Sequence, residues 1–376
     1  MSGSYDVIVA GLGAMGSATL HQLARRGRRV LGLDRFAPPH ALGSSHGRSR
    51  IIREAYFEEP RYVPLVQRAY ERWADLEAES GVSLLRRTGG LTMGPAGGEL
   101  AEGARLSAEA HGLPHELLSA DEIRRRVPAF HPDDDMVGVW EPRAGVLAPE
   151  AAIGAALDVA RRHGADVRLD TALRSWRARP DDVEVVTDAG TFTAARLVLA
   201  VGAWMRQLLA ELDLPLAVER NVLLWFTPEP ATDAFAPECF PVFLCEYAPG
   251  RAWYGFPDTG EGVKLALHHH GGSWNPDRLD REVTEADIGA VRTLARRYLP
   301  AANGALRETA TCMYTTTPDG HFIIDRHPVH PNVIVASPCS GHGFKFASAI
   351  GEALADLAED RAPGFDLEPF ALARFR

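Results

Sequence analysis

The chain has 376 residues, of which 46% are hydrophobic, and a formal net charge of −10 at neutral pH. This length suits two closely packed domains rather than one small domain, and the acidic balance argues against a nucleic-acid partner. No apolar run approaches the roughly 18 residues that a membrane span requires, and the charged start lacks the layout of a signal peptide. We therefore expect a soluble, cytoplasmic protein with no membrane or nucleic-acid partner.

Cysteine and lysine are used sparingly. The chain has four scattered cysteines without CxxC spacing, namely Cys239, Cys245, Cys312 and Cys339. Such positions argue against a disulfide framework or a zinc site. Of the 40 basic residues, 38 are arginine, and the only lysines are Lys264 and Lys345. Lysine is a compact cation whose pKa responds to its surroundings, so the two lysines can have a specific function. Alternatively, they remain by chance in a sequence whose composition favours arginine.

The N-terminal segment predicts the start of a βαβ unit. Tyr5–Ala10 is an apolar run typical of a buried strand, and Val30–Leu33 predicts a second strand. Between them, the GxGxxG motif at residues 11–16 opens a helix that we expect over Ser17–Arg26. Its glycines allow the backbone to approach a pyrophosphate, and the helix N-terminus supplies free N–H groups. Asp34 follows the second strand, where its carboxylate can accept hydrogen bonds from an adenosine ribose.

The rest of the chain mixes helical and extended patterns. In chain order we predict an ordered loop over 37–50, helices over Arg61–Glu79 and Pro149–His163, a hairpin of Val183–Val186 and Thr191–Thr193, a buried strand over Leu197–Val201, and a last helix over Phe344–Glu359. Short apolar runs separated by Pro and Gly over 216–270 indicate an antiparallel sheet.

The GxGxxG motif alone does not separate FAD from NAD. A chain that binds NAD usually continues with further βα units, whereas this one enters a Gly/Ser-rich loop and returns to the fold after an insertion. We therefore predict an α/β protein (α+β overall), in which an FAD-binding Rossmann-like βαβ domain carries an inserted substrate domain with a mostly antiparallel sheet. The predicted FAD domain is discontinuous, over 1–85, 145–215 and 320–376, and the substrate domain comprises 86–144 and 216–319.

Several separated segments follow one another in a recognisable order. They are 11–17 (GLGAMGS), 43–56 (GSSHGRSRIIREAY), 254–257 (YGFP) with 263–265 (VKL), 312–315 (CMYT) with 318–325 (PDGHFIID), and 340–346 (SGHGFKF). Together these segments resemble the monomeric sarcosine oxidase and N-methyltryptophan oxidase family, within the glycine oxidase and D-amino-acid oxidase superfamily. The resemblance covers nearly the whole chain and implies a monomeric, FAD-dependent amine oxidase.

The resemblance implies a set of FAD-binding residues. They are Gly11, Gly13, Ala14, Met15, Gly16, Asp34, Arg35, Gly43, Ser44, Ser45, Ser49, Arg50, Ile51, Leu173, Gly202, Trp204, Cys312, Met313, Gly341, His342, Gly343, Phe344 and Lys345. It also implies a thioether between Cys312 and the flavin 8-methyl carbon, although a free cysteine is more often a small buried hydrophobe. The N–H groups at the start of the last helix would suit the flavin pyrimidine carbonyl.

The resemblance also implies the substrate site. Arg53 and Lys345 match the pair that binds the carboxylate of an amino-acid substrate, through charge-assisted hydrogen bonds. Arg50 matches a position close to the flavin ring, and Lys264 matches the lysine that activates oxygen. Both lysines thus fall where the family has lysine, which argues against chance survival. Three further active-site positions are matched by His268, Tyr254 and Tyr314, although either tyrosine could equally be a core residue.

Two departures from the family pattern leave the substrate open, and a histidine run leaves one alignment open. Ser45 stands where close relatives have histidine. Leu244 falls near a pocket position that is often methionine, with Cys245 as the alternative if the preceding loop differs by one residue. The histidine run over 268–270 leaves the register of the active-site histidine open. No carboxylate or cysteine lies at fitting spacing from that run, so we predict no metal.

We therefore predict an oxidase that converts an N-methyl amino acid, oxygen and water to the free amino acid, formaldehyde and hydrogen peroxide. Three alternatives remain. The first is a deaminating oxidase of primary or cyclic amino acids such as proline or pipecolate. The second is a dehydrogenase that uses another electron acceptor, against which Lys264 argues. The third is a nucleotide-binding sensor without enzymatic activity.

Overall fold

The computed structural model describes residues 4–269 and 272–375. The strands in these ranges are β1 (Tyr5–Ala10), β2 (Val30–Leu33), β3 (Arg50–Ile52), β4 (Leu85–Arg87), β5 (Gly90–Pro95), β6 (Glu116–Ser119), β7 (Met136–Glu141), β8 (Gly145–Leu147), β9 (Asp166–Arg168), β10 (Leu173–Ala178), β11 (Val183–Thr187), β12 (Gly190–Leu199), β13 (Ala217–Phe226), β14 (Val242–Ala248), β15 (Arg251–Phe256), β16 (Val263–His268), β17 (Leu306–Thr316), β18 (Ile323–Arg326) and β19 (Val333–Ser337).

The helices connect and cover these strands. They are α1 (Ala14–Arg25), α2 (Val63–Ser80), α3 (Glu99–Ala110), α4 (Ala120–Arg126), α5 (Pro149–Arg162), α6 (Met205–Leu208), α7 (Glu285–Tyr298) and α8 (Ala347–Ala358). Within the described ranges, no helix is both long and apolar enough to cross a bilayer.

The first large sheet is built around β1. Strands β12, β1, β2 and β9 run parallel in that order, and β12 pairs with β11 and β19 along its other edge. Val7 and Val9 belong to one hydrophobic cluster, whereas Ile8 and Ala10 belong to another. Alternate side chains of a strand point to opposite faces, so both faces of this sheet are buried, as is usual for parallel strands. Helices α1, α5 and α8 cover the first of these faces.

The second large sheet has the strand order β17-β13-β16-β15-β14-β5-β7-β6. Its neighbouring strands are antiparallel, with the single exception of the pair β14 and β5. One face packs an aromatic cluster that includes Phe243 and Trp253 beneath α7. Tyr254, the next residue after Trp253, points to the opposite face, because successive side chains alternate along β15.

A three-stranded sheet, β3-β8-β4, lies at the junction of the two large ones. The strands of the first large sheet lie within residues 5–33, 166–199 and 323–337, and those of the second lie within 90–141 and 217–316. The mixed α/β fold with a nucleotide-binding βαβ unit and a mostly antiparallel second sheet is confirmed.

Several predicted elements are confirmed, and three differ in detail. Strands β1 and β2 have their predicted bounds, but α1 begins at Ala14, inside the glycine motif, instead of at Ser17. The two strands expected near 191–193 and 197–201 are one continuous strand, because β12 stays paired with β1 while its other neighbour changes from β11 to β19. The last helix begins as a 3-10 turn over Phe344–Phe346 before α8.

Two helical glycines provide a test of how closely α1 and α8 approach each other. A Cβ atom on Gly351 of α8 would lie 2.6 Å from the backbone carbon of Ala18 in α1, whereas a Cβ on Gly154 of α5 would meet nothing within 4 Å. We expect Gly351→Ala to lower the free energy of unfolding by about 1–3 kcal/mol through overpacking. Gly154→Ala should raise it by about 0.5–1 kcal/mol, because alanine favours a helix. Denaturant unfolding followed by circular dichroism measures both, and equal stabilisation would contradict the close helix contact.

Candidate functional site

A cavity of about 530 Å³ lies between the two large sheets. Every residue that the sequence predicted for the site lines this cavity, with the exception of Gly16, Ser49 and Lys264. Gly16 packs directly on the preceding turn, where an added Cβ would lie only 1.7 Å from the carbonyl oxygen of Gly11. Its part is therefore to allow the tight turn, and it does not face the cavity itself.

The turn after β1 forms one end of the cavity. Helix α1 begins after Gly13 without a side-chain N-cap, and the N–H of its first residue, Ala14, makes only a long hydrogen bond of 3.4 Å to Ser45 Oγ. The positive end of the helix dipole at this point suits an anion. The carboxylate of Asp34 is anchored by two backbone N–H groups, from Leu12 at 2.6 Å and from Phe36 at 2.8 Å. Its remaining lone pairs can accept hydrogen bonds from a ribose. This end of the cavity therefore fits the pyrophosphate and adenosine of a dinucleotide.

Asp277 closes this end from the second domain. Its Oδ1 accepts hydrogen bonds from Arg35 Nη1 at 2.7 Å and from Trp204 Nε1 at 2.9 Å, and all three residues line the cavity. Sequence reasoning missed Asp277, because it lies more than 200 residues from Arg35 in an Asn-Pro-Asp turn that carries no motif.

Thr315 lies in the cavity wall near the end of β17. It is 1% exposed, and its hydroxyl has no hydrogen-bond partner within the described residues. A buried hydroxyl normally has such a partner. This part of the wall therefore fits a ligand with a polar edge, as the isoalloxazine ring of FAD has.

Cys312 faces the cavity from the middle of β17. Its Sγ lies 3.7 Å from Nη2 of Arg50 and 3.5 Å from the carbonyl oxygen of Ser44. The Arg50 guanidinium in turn donates to the carbonyl oxygens of Ser44 and Ser49, at 2.7 and 2.8 Å. Arg50 thus ties the loop before β3 to the strand that carries the thiol.

Lys264 lies behind this loop and does not reach the cavity wall. Its Nζ donates to the carbonyl oxygens of Gly47 and Ser49 at 2.7 and 3.0 Å, and to Ser49 Oγ at 3.1 Å. Burial, reinforced by the neighbouring Arg50 cation, holds the pKa of Lys264 well below its usual value. Ser49 therefore serves as a partner of Lys264 and has no direct contact with the cavity.

Arg53 and Lys345 bracket the ring of Tyr56 at one side of the cavity. The Arg53 guanidinium carbon lies 4.4 Å from the ring centroid, and Lys345 Nζ lies 3.3 Å from the phenol oxygen. Nη2 of Arg53 donates to both oxygens of Glu58, at 2.8 and 2.6 Å. Sequence reasoning missed Glu58, although an acid five residues after Arg53 was a signal available for it.

The charges of this group depend on burial. Burial alone would raise the pKa of Glu58, but the adjacent Arg53 holds it at about 2, so Glu58 is ionised. Burial, and then the Arg53 cation, lower the pKa of Lys345 to about 7. Lys345 therefore changes charge close to neutral pH.

His268, Tyr254 and Tyr314 form an aromatic wall. The His268 ring lies 6.1 Å from that of Tyr254 and 5.8 Å from that of Tyr314, and the two phenol oxygens are 3.4 Å apart. Burial lowers the pKa of His268 well below its usual value and raises those of both tyrosines, so all three are uncharged at neutral pH. Both tyrosines line the cavity instead of packing solely in a core.

The alternative residues of two uncertain alignments lie in different places. His268 lines the cavity, whereas His269 is exposed and lies 3.2 Å from Glu219, and His270 is outside the described residues. Leu244 lines the cavity, whereas Cys245 points into the aromatic core on the other face of β14. In the ranges described, no group of three or more His, Cys, Asp or Glu is arranged to hold a metal ion.

A family model described as FAD dependent oxidoreductase (DAO) matches residues 6–357. The chain therefore belongs to the FAD-dependent oxidoreductases of this family, in the group that includes monomeric sarcosine oxidase and N-methyl-L-tryptophan oxidase, as its motifs predict. FAD is its cofactor, and the glycine turn, Asp34 and the wall at Thr315 fit that group.

The relatives extend over nearly the whole chain. The chain is 44% identical to monomeric sarcosine oxidase of Streptomyces avermitilis, over 95% of this chain and 94% of that protein. It is 36% identical to N-methyl-L-tryptophan oxidase of Yersinia pestis, over 99% of this chain and all of that protein. The solved structure of NikD, described as an unusual amino acid oxidase, is similar with a TM-score of 0.85 and 25% identity, covering 98% of this chain and 97% of that one.

Asp277 provides a test of the adenosine end. We expect Asp277→Ala to weaken FAD binding by about tenfold, because Arg35 and Trp204 lose their common acceptor. Titration with FAD, followed by flavin fluorescence, measures the affinity in flavin-free protein that also carries Cys312→Ser, so that the thioether expected at Cys312 does not mask reversible binding. Asp158→Ala, which removes the partner of Arg161 on the exposed side of α5, is the control. Equal affinities of the two variants would show that Asp277 does not help to hold the nucleotide.

Proposed function

We propose that the chain is an FAD-dependent oxidase of N-methyl amino acids. It converts the methylated amine, dioxygen and water to the free amino acid, formaldehyde and hydrogen peroxide. The observation that carries this proposal is that two buried cations, Arg53 and Lys345, line the same cavity as the uncharged His268. The names of the relatives, sarcosine oxidase and N-methyl-L-tryptophan oxidase, support the same class of substrate.

Arg53 and Lys345 are proposed to bind the substrate carboxylate. Two cations on one carboxylate give short, charge-assisted hydrogen bonds and fix its orientation. The contact with Glu58 supports this role, since Arg53 Nη2 already donates to both oxygens of a carboxylate at this point of the cavity.

The aromatic wall is proposed to act on the substrate amine. A neutral imidazole at His268 can accept a hydrogen bond from the amine and so orient it. The burial that keeps His268 uncharged also disfavours an ammonium group at this position, which favours the uncharged amine that oxidation requires. Bound FAD supplies the acceptor for two electrons. Arg50 adds positive charge close to the cavity, which favours negative charge on the cofactor. Lys264, in its protonated form, would add to this charge and favour reduced oxygen.

We further propose that the protein works as a cytoplasmic monomer and that its partners are a small amine and dioxygen. Cys312 is the proposed site of covalent flavin attachment, supported by its position in the cavity wall beside Arg50.

A substrate panel tests the proposed reaction. Anaerobic flavin bleaching with sarcosine, larger N-methyl amino acids, proline and pipecolate should be fastest with an N-methyl amino acid, and aerobic turnover should release formaldehyde and hydrogen peroxide in equal amounts. An oxo acid or cyclic imine without formaldehyde would favour the deaminating oxidase. Fast dye reduction with slow peroxide formation would favour a dehydrogenase, and protein that stays colourless after flavin supplementation would overturn the proposal.

Acid precipitation tests the covalent link. We expect the yellow colour to stay with the precipitated wild-type protein and to enter the supernatant after Cys312→Ser, because the thiol is lost while its volume is nearly kept. Cys339→Ser is the matched control, since Cys339 also lines the cavity. Release of flavin from wild-type protein would contradict attachment, and release from the Cys339 variant alone would move it to that residue.

The pH dependence of carboxylate binding tests Lys345. Its pKa of about 7 means that the cation is present below that pH and is lost as pH rises through it. The affinity for propionate, a carboxylate without an amine, should therefore fall above pH 7, as measured by the change in flavin absorbance. Lys345→Met should bind propionate more weakly and with little dependence on pH. A constant wild-type affinity from pH 6 to 9 would contradict this role.

A further inference from the structure

Glu141 is a buried carboxylate that does not line the cavity. It is the last residue of β7, it is 4% exposed, and its two oxygens accept hydrogen bonds from consecutive backbone N–H groups. Oε1 accepts from Glu54 at 2.5 Å, and Oε2 accepts from Ala55 at 2.7 Å. One side chain of the second large sheet thus holds the two residues that directly follow Arg53.

Ala55 connects the Glu141 carboxylate to the Arg53 side chain. Its N–H is bound by Glu141, and its carbonyl oxygen accepts a hydrogen bond from Arg53 Nη1 at 2.7 Å. The other guanidinium nitrogen, Nη2, is the one that donates to Glu58. The position of Ala55 therefore decides which way the carboxylate-binding nitrogen of Arg53 points.

The chain path explains why Glu141 reaches this segment. β7 ends at Glu141, a short turn follows, and β8 then pairs with β3, which ends immediately before Arg53. Glu54 makes a second contact with this turn, where its Oε2 lies 3.3 Å from Nε of the exposed Arg143. Of the two carboxylates, Glu141 is the one that binds the backbone next to Arg53.

Charge also couples Glu141 to Arg53. Burial alone would lower the pKa of Arg53, but Glu58 and, to a smaller extent, Glu141 raise it, so the guanidinium stays charged. Burial raises the pKa of Glu141, and the two N–H groups together with Arg53 oppose that shift. Removing a buried side chain whose two oxygens both accept hydrogen bonds leaves the N–H groups of Glu54 and Ala55 unsatisfied, which is costly.

We propose that Glu141 is a positioning residue for carboxylate recognition: through the Glu54–Ala55 backbone it fixes the Arg53 guanidinium, so that substrate affinity depends on a side chain that never touches the substrate. This inference rests on the proposed function, in which Arg53 binds the substrate carboxylate. The test therefore asks two separate questions. The first is whether the carboxylate site exists, and the second is whether Glu141 affects binding at that site.

The test compares two glutamates that each accept hydrogen bonds from two consecutive backbone N–H groups, Glu141 through both of its oxygens and Glu77 through Oε1 alone. Glu77 also accepts hydrogen bonds from consecutive backbone N–H groups, of Leu84 and Leu85 at 2.6 and 2.9 Å, but it lies outside the cavity wall. We expect Glu141→Gln in the flavin-loaded protein to weaken propionate binding by about tenfold or more, since one amide N–H would now face a backbone N–H. Glu77→Gln should change it by less than about twofold, even where both variants lose thermal stability.

A double-mutant cycle isolates the path through Arg53. In an Arg53→Met background, Glu141→Gln should weaken propionate binding no further, because the group that it positions is gone. An unchanged affinity of Glu141→Gln, or an equal loss in both backgrounds, would overturn the inference. Wild-type protein that binds no propionate, with no change on Arg53→Met, would instead overturn the carboxylate site of the proposed function.

A second variant and a second measurement cover the case in which Glu141→Gln does not fold. Glu141→Asp keeps the charge and withdraws both acceptors by one methylene group, and it should show the same Arg53-dependent loss to a smaller degree. Amide hydrogen exchange, which does not depend on turnover, should become faster at Glu54 and Ala55 in this variant and stay unchanged after Glu77→Gln. Unaltered exchange at both amides together with unaltered propionate affinity would again overturn the inference.

Discussion

The burial of positive charge at one cavity is the constraint on which this structure depends. Arg53, Lys264 and Lys345 are each less than 7% exposed, and the effective cost of removing a single ion from water is several kcal/mol. Arg53 is compensated by the ionised Glu58, whereas each lysine is compensated by backbone carbonyl oxygens and a lowered proton affinity. The loops around the cavity direct these acceptors toward the buried cations. The electrostatics of the site therefore depend on the conformation of the loops.

This constraint explains why the two large sheets present different chemical groups to the cavity. The first sheet presents a helix N-terminus and Asp34, which suit anionic and hydroxyl groups of a nucleotide. The second presents uncharged aromatic side chains from β15 and β17, with their apolar neighbours turned into a separate core. The three-stranded sheet between them carries Arg50 at the start of β3 and Arg53 just after it, so the cations stand where the two surfaces meet.

The sequence predicted the parts that local pattern controls. β1, β2 and the glycine motif follow from apolar periodicity and from the steric needs of a tight turn, and the family resemblance named about half of the residues in the cavity wall. Pattern could not show that Lys264 stands behind the loop, because its partners Gly47 and Ser49 are more than 200 residues away. The sequence did not predict the role of Asp277 for the same reason, since a buried polar contact depends on which distant segments of the chain meet in the fold.

The position of both lysines also limits how the protein can be chemically coupled. Lys264 and Lys345 are the only lysines and are 2% and 6% exposed, while the remaining 38 basic residues are arginines, which do not react with activated esters. Lysine-directed dyes, crosslinkers and resins would therefore find no side chain at the surface to modify. A reagent that did reach a lysine would have to enter the interior beside the cofactor, whereas the exposed thiol of Cys239 offers a single outer position for attachment.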